Sequence, residues 1–243
     1  MHRTAPLTLT TLVCFLGYMA GGTILGADAP AAPIRVVVWD ERQPEQKQAY
    51  ENFLGNAIAE ALSRRDGIEV RSVGLDDAAQ GLAPEIIDWA EVLVWWSHRR
   101  NGDLKPEPVR AIVEKVKAGR LLFIGLHSAH WAPPFTALMD ERAREDVRRQ
   151  FADLPPEKLL ITEVPGSRKV PARDARFTPA TDVERRPDGT VAVTLHLPGC
   201  IFPAYRNDGK PSTVNVLDRQ HPLAAGLPDV FTLDRAEMYD EPY

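Results

Sequence analysis

The sequence predicts an α/β protein built on a doubly wound, mostly parallel sheet. Strand-like and helix-like patterns alternate four times between residues 34 and 126, at intervals that suit βαβ crossovers. Two of the strand-like runs, Val92–Trp96 and Leu121–Leu126, are short and continuously apolar, as strands covered on both faces are. Both stop abruptly in polar residues, at the carboxyl ends outside which open α/β sheets bind their ligands.

The chain begins with a segment unlike the rest. His2 and Arg3 precede an uncharged apolar run from Leu7 to Ile24, and Ala27-Asp28-Ala29 offers a small-x-small cleavage site. This pattern predicts a signal peptide over residues 1–29 and an exported protein, secreted or periplasmic. The structural alternative is an uncleaved anchor. Cleavage removes Arg3 and Asp28, whose charges cancel, so the mature chain keeps the net charge of −5. It also leaves Cys200 as the single cysteine, which excludes an internal disulfide and a cysteine-ligated zinc. Charges of both signs are interspersed, which argues against nucleic acid or, after cleavage, a membrane as partner.

Ile34–Trp39 is the first strand, β-branched and bounded by Pro33 and Asp40-Glu41. An amphipathic helix follows: Tyr50, Phe53, Leu54, Ala57, Ile58, Ala61 and Leu62 share one face, and Asp66-Gly67 stops it. Ile68–Val73 alternates as an outer strand. A short helix started by Pro84 leads into Val92–Trp96, and a helix from Pro106 buries Val109, Ile112, Val113 and Val116 before Gly119. Leu121–Leu126 is the next strand. Beyond Met139 the periodicity loosens: residues 140–150 read as a solvated helical extension, and 155–187 show no clean period. Residues 190–195, 213–217 and 230–233 read as later strands. Residues 140–198 are therefore expected to form an insertion at the sheet edge, of the kind that serves as a lid.

The chemical candidates cluster past strand ends. His98 follows one core strand; His127 and His130 follow another. Neutral imidazoles converging on one crevice can act as acid and base or ligate a divalent metal, whereas isolated ones commonly hydrogen-bond loop backbone. No helical His-Glu-x-x-His spacing is present, so the residues do not specify a metal. Ser128 lacks the flanking glycines of a nucleophile elbow, which disfavours a serine hydrolase. Asp40 and Glu41 end the first strand and can either hold sugar hydroxyls or cap the following helix. Period-2 alternation puts Trp95 and Trp96 on opposite faces, one in the core and one available as a platform for a sugar ring. Glu237, Tyr239 and Glu241 crowd carboxylates and a phenol near the chain's end.

Taken in order, several stretches resemble the ThuA-like (trehalose-utilisation) family: Val36–Glu41, Gly74–Asp77, Leu93–His98, Gly125–His130, Phe135–Met139, His221–Gly226 and Glu237–Glu241. The resemblance runs from residue 34 to the end. It implies a flavodoxin-like sheet similar to class I glutamine amidotransferase domains. It does not imply their chemistry, because Leu126-His127-Ser128 stands where their cysteine would be. It further implies action on a disaccharide or keto-glycoside, with His98, His127, His130 and Glu237 as catalytic candidates. Asp40, Glu41, Trp96, Tyr239 and Glu241 are then the substrate-binding candidates. The family usually continues past this last motif, so ending at Tyr243 reads as truncation, and an incomplete site would favour a non-catalytic carbohydrate-binding or interaction module. The cofactor stays unknown, with a divalent metal and a homo-oligomer both allowed.

Overall fold

The structure, a computed structural model, describes residues 32–166, 180–199, 205–206, 210–234 and 238–239. The candidate signal segment, Cys200, Glu237 and Glu241 lie outside the described residues.

The centre of the fold is a mixed α/β arrangement. Strand β1 (Ile34–Asp40) leads through a loop to helix α1 (Leu54–Ser63), then to β2 (Ile68–Gly74), α2 (Pro84–Trp89), β3 (Val92–Trp96), α3 (Pro106–Lys117) and β4 (Leu122–Gly125). The four strands form one parallel sheet in the order β2-β1-β3-β4, compatible with a flavodoxin-like fold. Successive residues of β1 point to opposite faces, and both faces are packed. Val36 and Val38 join Val94 and Ala59 of α1 on one side. On the other, Val37 and Trp39 join Leu93, Trp95, Ile87 of α2 and Ile112 of α3. Burial on both faces explains why β3 reads as an unbroken apolar run; β4, whose run predicts the same cover, instead ends the described sheet with Leu122 and Ile124 exposed. Trp39 and Trp95 stack with ring centroids 3.8 Å apart, an arrangement that adds about 0.5–1.5 kcal/mol beyond the area it buries. Their indole N–H groups are satisfied too, donating to the Gln80 carbonyl at 2.8 Å and the Ser97 hydroxyl at 3.0 Å.

Helix α1 starts later than its apolar face suggests. Phe53 sits at φ 63°, a left-handed value that an aromatic residue adopts only under constraint. The constraint is visible: Leu54 N–H donates to Gln46 Oε1 at 3.0 Å and Gly55 N–H to Asp40 Oδ2 at 2.7 Å. The helix therefore begins where its first free N–H groups meet these acceptors. Gly55 allows the approach, since a Cβ there would lie 2.6 Å from that of Asp40.

After β4 comes a 3-10 turn, His127–Trp131, and then an unbroken helix α4 (Pro133–Gln150). The boundary expected at residue 140 thus falls inside a helix. Phe135 of α4 packs on the core that holds Trp39, whereas Val147 and the following Phe151 belong to a second core. That core is closed by strands β5 (Leu159–Val164), β6 (Thr181–Arg185) and β7 (Val191–His196), in the order β5-β7-β6. β5 and β6 lie in the stretch that shows no clean period in sequence. One face of this small sheet packs on α4, leaving Leu160 and Val164 exposed, so apolar residues on β5 do not mark the buried side alone.

Further on, β8 (Tyr205–Arg206) pairs with β11 (Met238–Tyr239), and β9 (Ser212–Asn215) pairs with β10 (Val230–Leu233), both antiparallel.

Candidate functional site

The carboxyl edge of the four-stranded sheet carries Asp40, Glu41, Trp96, His98, His127 and His130 among the sequence candidates. β3 and β4 are hydrogen-bonded neighbours, with Trp95 opposite Gly125 and Leu126 N–H donating to the Trp95 carbonyl at 2.9 Å. His98 and His127 therefore leave the sheet from adjacent strand ends, and His130 follows within the same 3-10 turn as His127. The His98 side chain is exposed; that of His130 is half-buried, its ring 5.0 Å from the Trp131 ring. The side chain of His127 lies outside the described atoms. Trp96 is half-buried opposite Asp40 in the β1–β3 register, while Trp95 is the fully buried core member of the pair. Tyr239 is placed by its backbone, opposite Tyr205. Among the described residues, no group of three or more His, Cys, Asp and Glu side chains is placed to hold a metal ion.

Asp40 and Glu41 are both 0% exposed, and their oxygens are engaged by the protein itself. Asp40 accepts from Gly55 N–H, from Arg42 N–H at 2.8 Å and from the Gln46 side-chain amide at 2.8 Å. It caps α1 across 15 residues of chain. Glu41 accepts from the backbone N–H groups of His98 at 2.8 Å, Arg99 at 2.9 Å and Arg100 at 3.1 Å, and from the Gln43 amide. Of the two roles read for this pair in sequence, Asp40 fills the helix cap, whereas Glu41 holds the turn after β3, a role the sequence reading did not include. Burial alone would raise the Glu41 carboxyl pKa. The hydrogen bonds from Arg99, Gln43, His98 and Arg100 outweigh it and hold the group below the ordinary glutamate value.

Around these anchors the loops are strained. The non-glycine residues at left-handed φ among the described residues are Arg42, Phe53, Ala79 and Gln80, all in the connections that leave β1 and β2 at this edge. Gln80 bridges further, donating from its side chain to the Asp103 carbonyl at 2.7 Å and accepting from Lys105 N–H at 2.9 Å. Arg100 forms a two-pronged pair with Asp76, both contacts at 2.8 Å, and meets Asp103 at 2.9 Å. Sequence reasoning passed over Gln43, Gln46 and Gln80. The available signal was two glutamines spaced by three directly after the acidic pair, the donors that buried carboxylates require.

An open depression of about 600 Å³ lies at the opposite, amino edge, lined among others by Arg35, Glu91, Lys115 and Arg120. Its buried cation is already taken: the Lys115 ammonium donates to the carbonyls of Asp88 at 2.8 Å, Ala90 at 2.6 Å and Ile87, closing the end of α2. Ligands of open α/β sheets gather at the carboxyl edge, where the imidazoles stand. No protein-family model and no curated protein matches the chain.

Proposed function

We propose that the chain is an exported, ThuA-like protein of carbohydrate metabolism, with acid–base chemistry on a disaccharide or keto-glycoside. The observation that carries this reading is the emergence of His98 and His127 from neighbouring parallel strand ends, with His130 one turn on. In it, His127 or His130 moves the proton and His98 with Glu237 orients the sugar. The doubly wound, flavodoxin-like arrangement belongs to the same reading. It is supported by α1 packing on one face of β1 and α2 with α3 on the other. Export rests on the character of residues 1–29; among the described residues, no helix is long and apolar enough to cross a membrane.

The test is conversion of a keto-disaccharide by the purified protein and by His127→Ala. Turnover in the wild type that falls at least about a hundredfold in the variant, the scale of a lost acid–base group, supports the enzyme. Sugar binding without any turnover sinks it. That second outcome would favour a carbohydrate-binding module, a reading encouraged by Trp131, which is 42% exposed beside His130 and offers a ring face to a sugar.

A further inference from the structure

We propose that Glu41 is the positioning residue of His98, seating the turn that carries its imidazole through three consecutive backbone N–H groups. The proposal deepens the reading of His98 as a site residue and rests on it.

Three successive N–H groups converging on one point form a nest for an anion, and such nests commonly receive a phosphate or carboxylate from outside. Here the anion comes from within the chain. Glu41 Oε2 accepts from His98 and Arg100, and Oε1 from Arg99 and Gln43. Glu41 is itself fixed, because its own N–H donates to the Trp96 carbonyl at 3.2 Å as the β1–β3 pairing ends. With their N–H groups turned inward, residues 98–100 are left with exposed or half-buried side chains. Arg99 and Arg100 are then steadied by other contacts, Arg99 by Glu45 at 3.2 Å and Arg100 by Asp76 and Asp103. His98 differs: no described group hydrogen-bonds its ring, so its backbone sets its place. The grip of a buried carboxylate on that backbone is charge-assisted and stronger than a neutral bond. An isosteric glutamine cannot replace it, since its amide would turn a donor toward N–H groups that need an acceptor.

The experiment is nuclear magnetic resonance on the labelled full chain, comparing wild type with Glu41→Gln. The expected result is amide exchange at 98–100 faster by at least about tenfold, with unchanged exchange at Val37 and Val94 within β1 and β3. The ring signals of His98 move, and those of His221 do not. A purely structural role would quicken exchange throughout and spare no strand. A folded Glu41→Gln protein with wild-type exchange at 98–100 and unmoved His98 signals overturns the proposal. Should the variant not fold, the wild type still decides. On acidification the amides of 98–100 follow the midpoint of the Glu41 carboxyl carbon; amides that instead follow Asp40, Glu45, Asp76 or Asp103 overturn it. Turnover of a keto-disaccharide by His98→Ala is the separate arm. Full activity there defeats His98 as a site residue, whereas the amide data judge the grip of Glu41.

Discussion

At the carboxyl edge of the four-stranded sheet, buried carboxylates collect backbone N–H groups; at the amino edge, a buried ammonium collects backbone carbonyls. Glu41 binds the turn after β3, and Lys115 binds the end of α2. In both places irregular backbone leaves polar groups that must be met, and one charged side chain meets several of them. The difference lies in access to water. Glu41 is fully buried, while Lys115, though itself buried, borders an open depression whose lining includes Asp88 and Ala90. The teaching is that a buried charge matters in proportion to what would be orphaned without it.

That contrast can be broken at its strong end first. Glu41→Ala leaves three N–H groups and the Gln43 amide without an acceptor. Its expected cost in urea unfolding is about 3 kcal/mol, the scale for leaving several buried donors unpaired at once. A loss below about 1 kcal/mol would show that water enters the nest. The pH dependence has a definite sign. The folded Glu41 carboxyl is held below its ordinary pKa, so its contribution is complete above the ordinary glutamate range and is lost as pH falls through the folded value. Wild type and variant therefore converge in stability on acidification. Lys115→Met comes next, expected to cost about 1–2 kcal/mol, because the Asp88 carbonyl it leaves is only part-buried and lines the depression. A cost equal to that of Glu41→Ala would erase the distinction between the edges. Smallest is Arg100→Ala. Its partners Asp76 and Asp103 are more than half exposed, so thermal unfolding should register no more than about 1 kcal/mol, shrinking further in high salt.

The parts of the fold legible in the sequence are those fixed by burial. β1 and β3 are packed on both faces, and the β-branched stretch Val36–Val38 and the apolar run Val92–Trp96 announce them. The start of α1 was not legible, because Tyr50 and Phe53 extend its apolar face while Asp40 and Gln46 decide where it begins. Residues distant in the chain set that boundary, and periodicity is local. β5 and β6 escaped for another reason: one face of their small sheet is open, and Leu160 and Val164 are exposed on it. At the site, the strand-end positions of His98, His127 and His130 could be read from the abrupt ends of two apolar runs. The work of Asp40 and Glu41 could not. A carboxylate waiting for a sugar and one saturated by backbone have the same spelling, and only their partners separate them.

The continuity of α4 has a mechanical consequence. At 1.5 Å per residue its 18 residues form a rod about 27 Å long. One end is rooted through Phe135 beside the turn that carries His127 and His130; the other is sunk among Val147, Val193 and Leu195 under the small sheet. The rod is held between its ends as well, where Glu141 pairs with Lys117 of α3 at 2.8 Å. One stiff element thus joins the histidine turn to the small sheet, and the two cores share it.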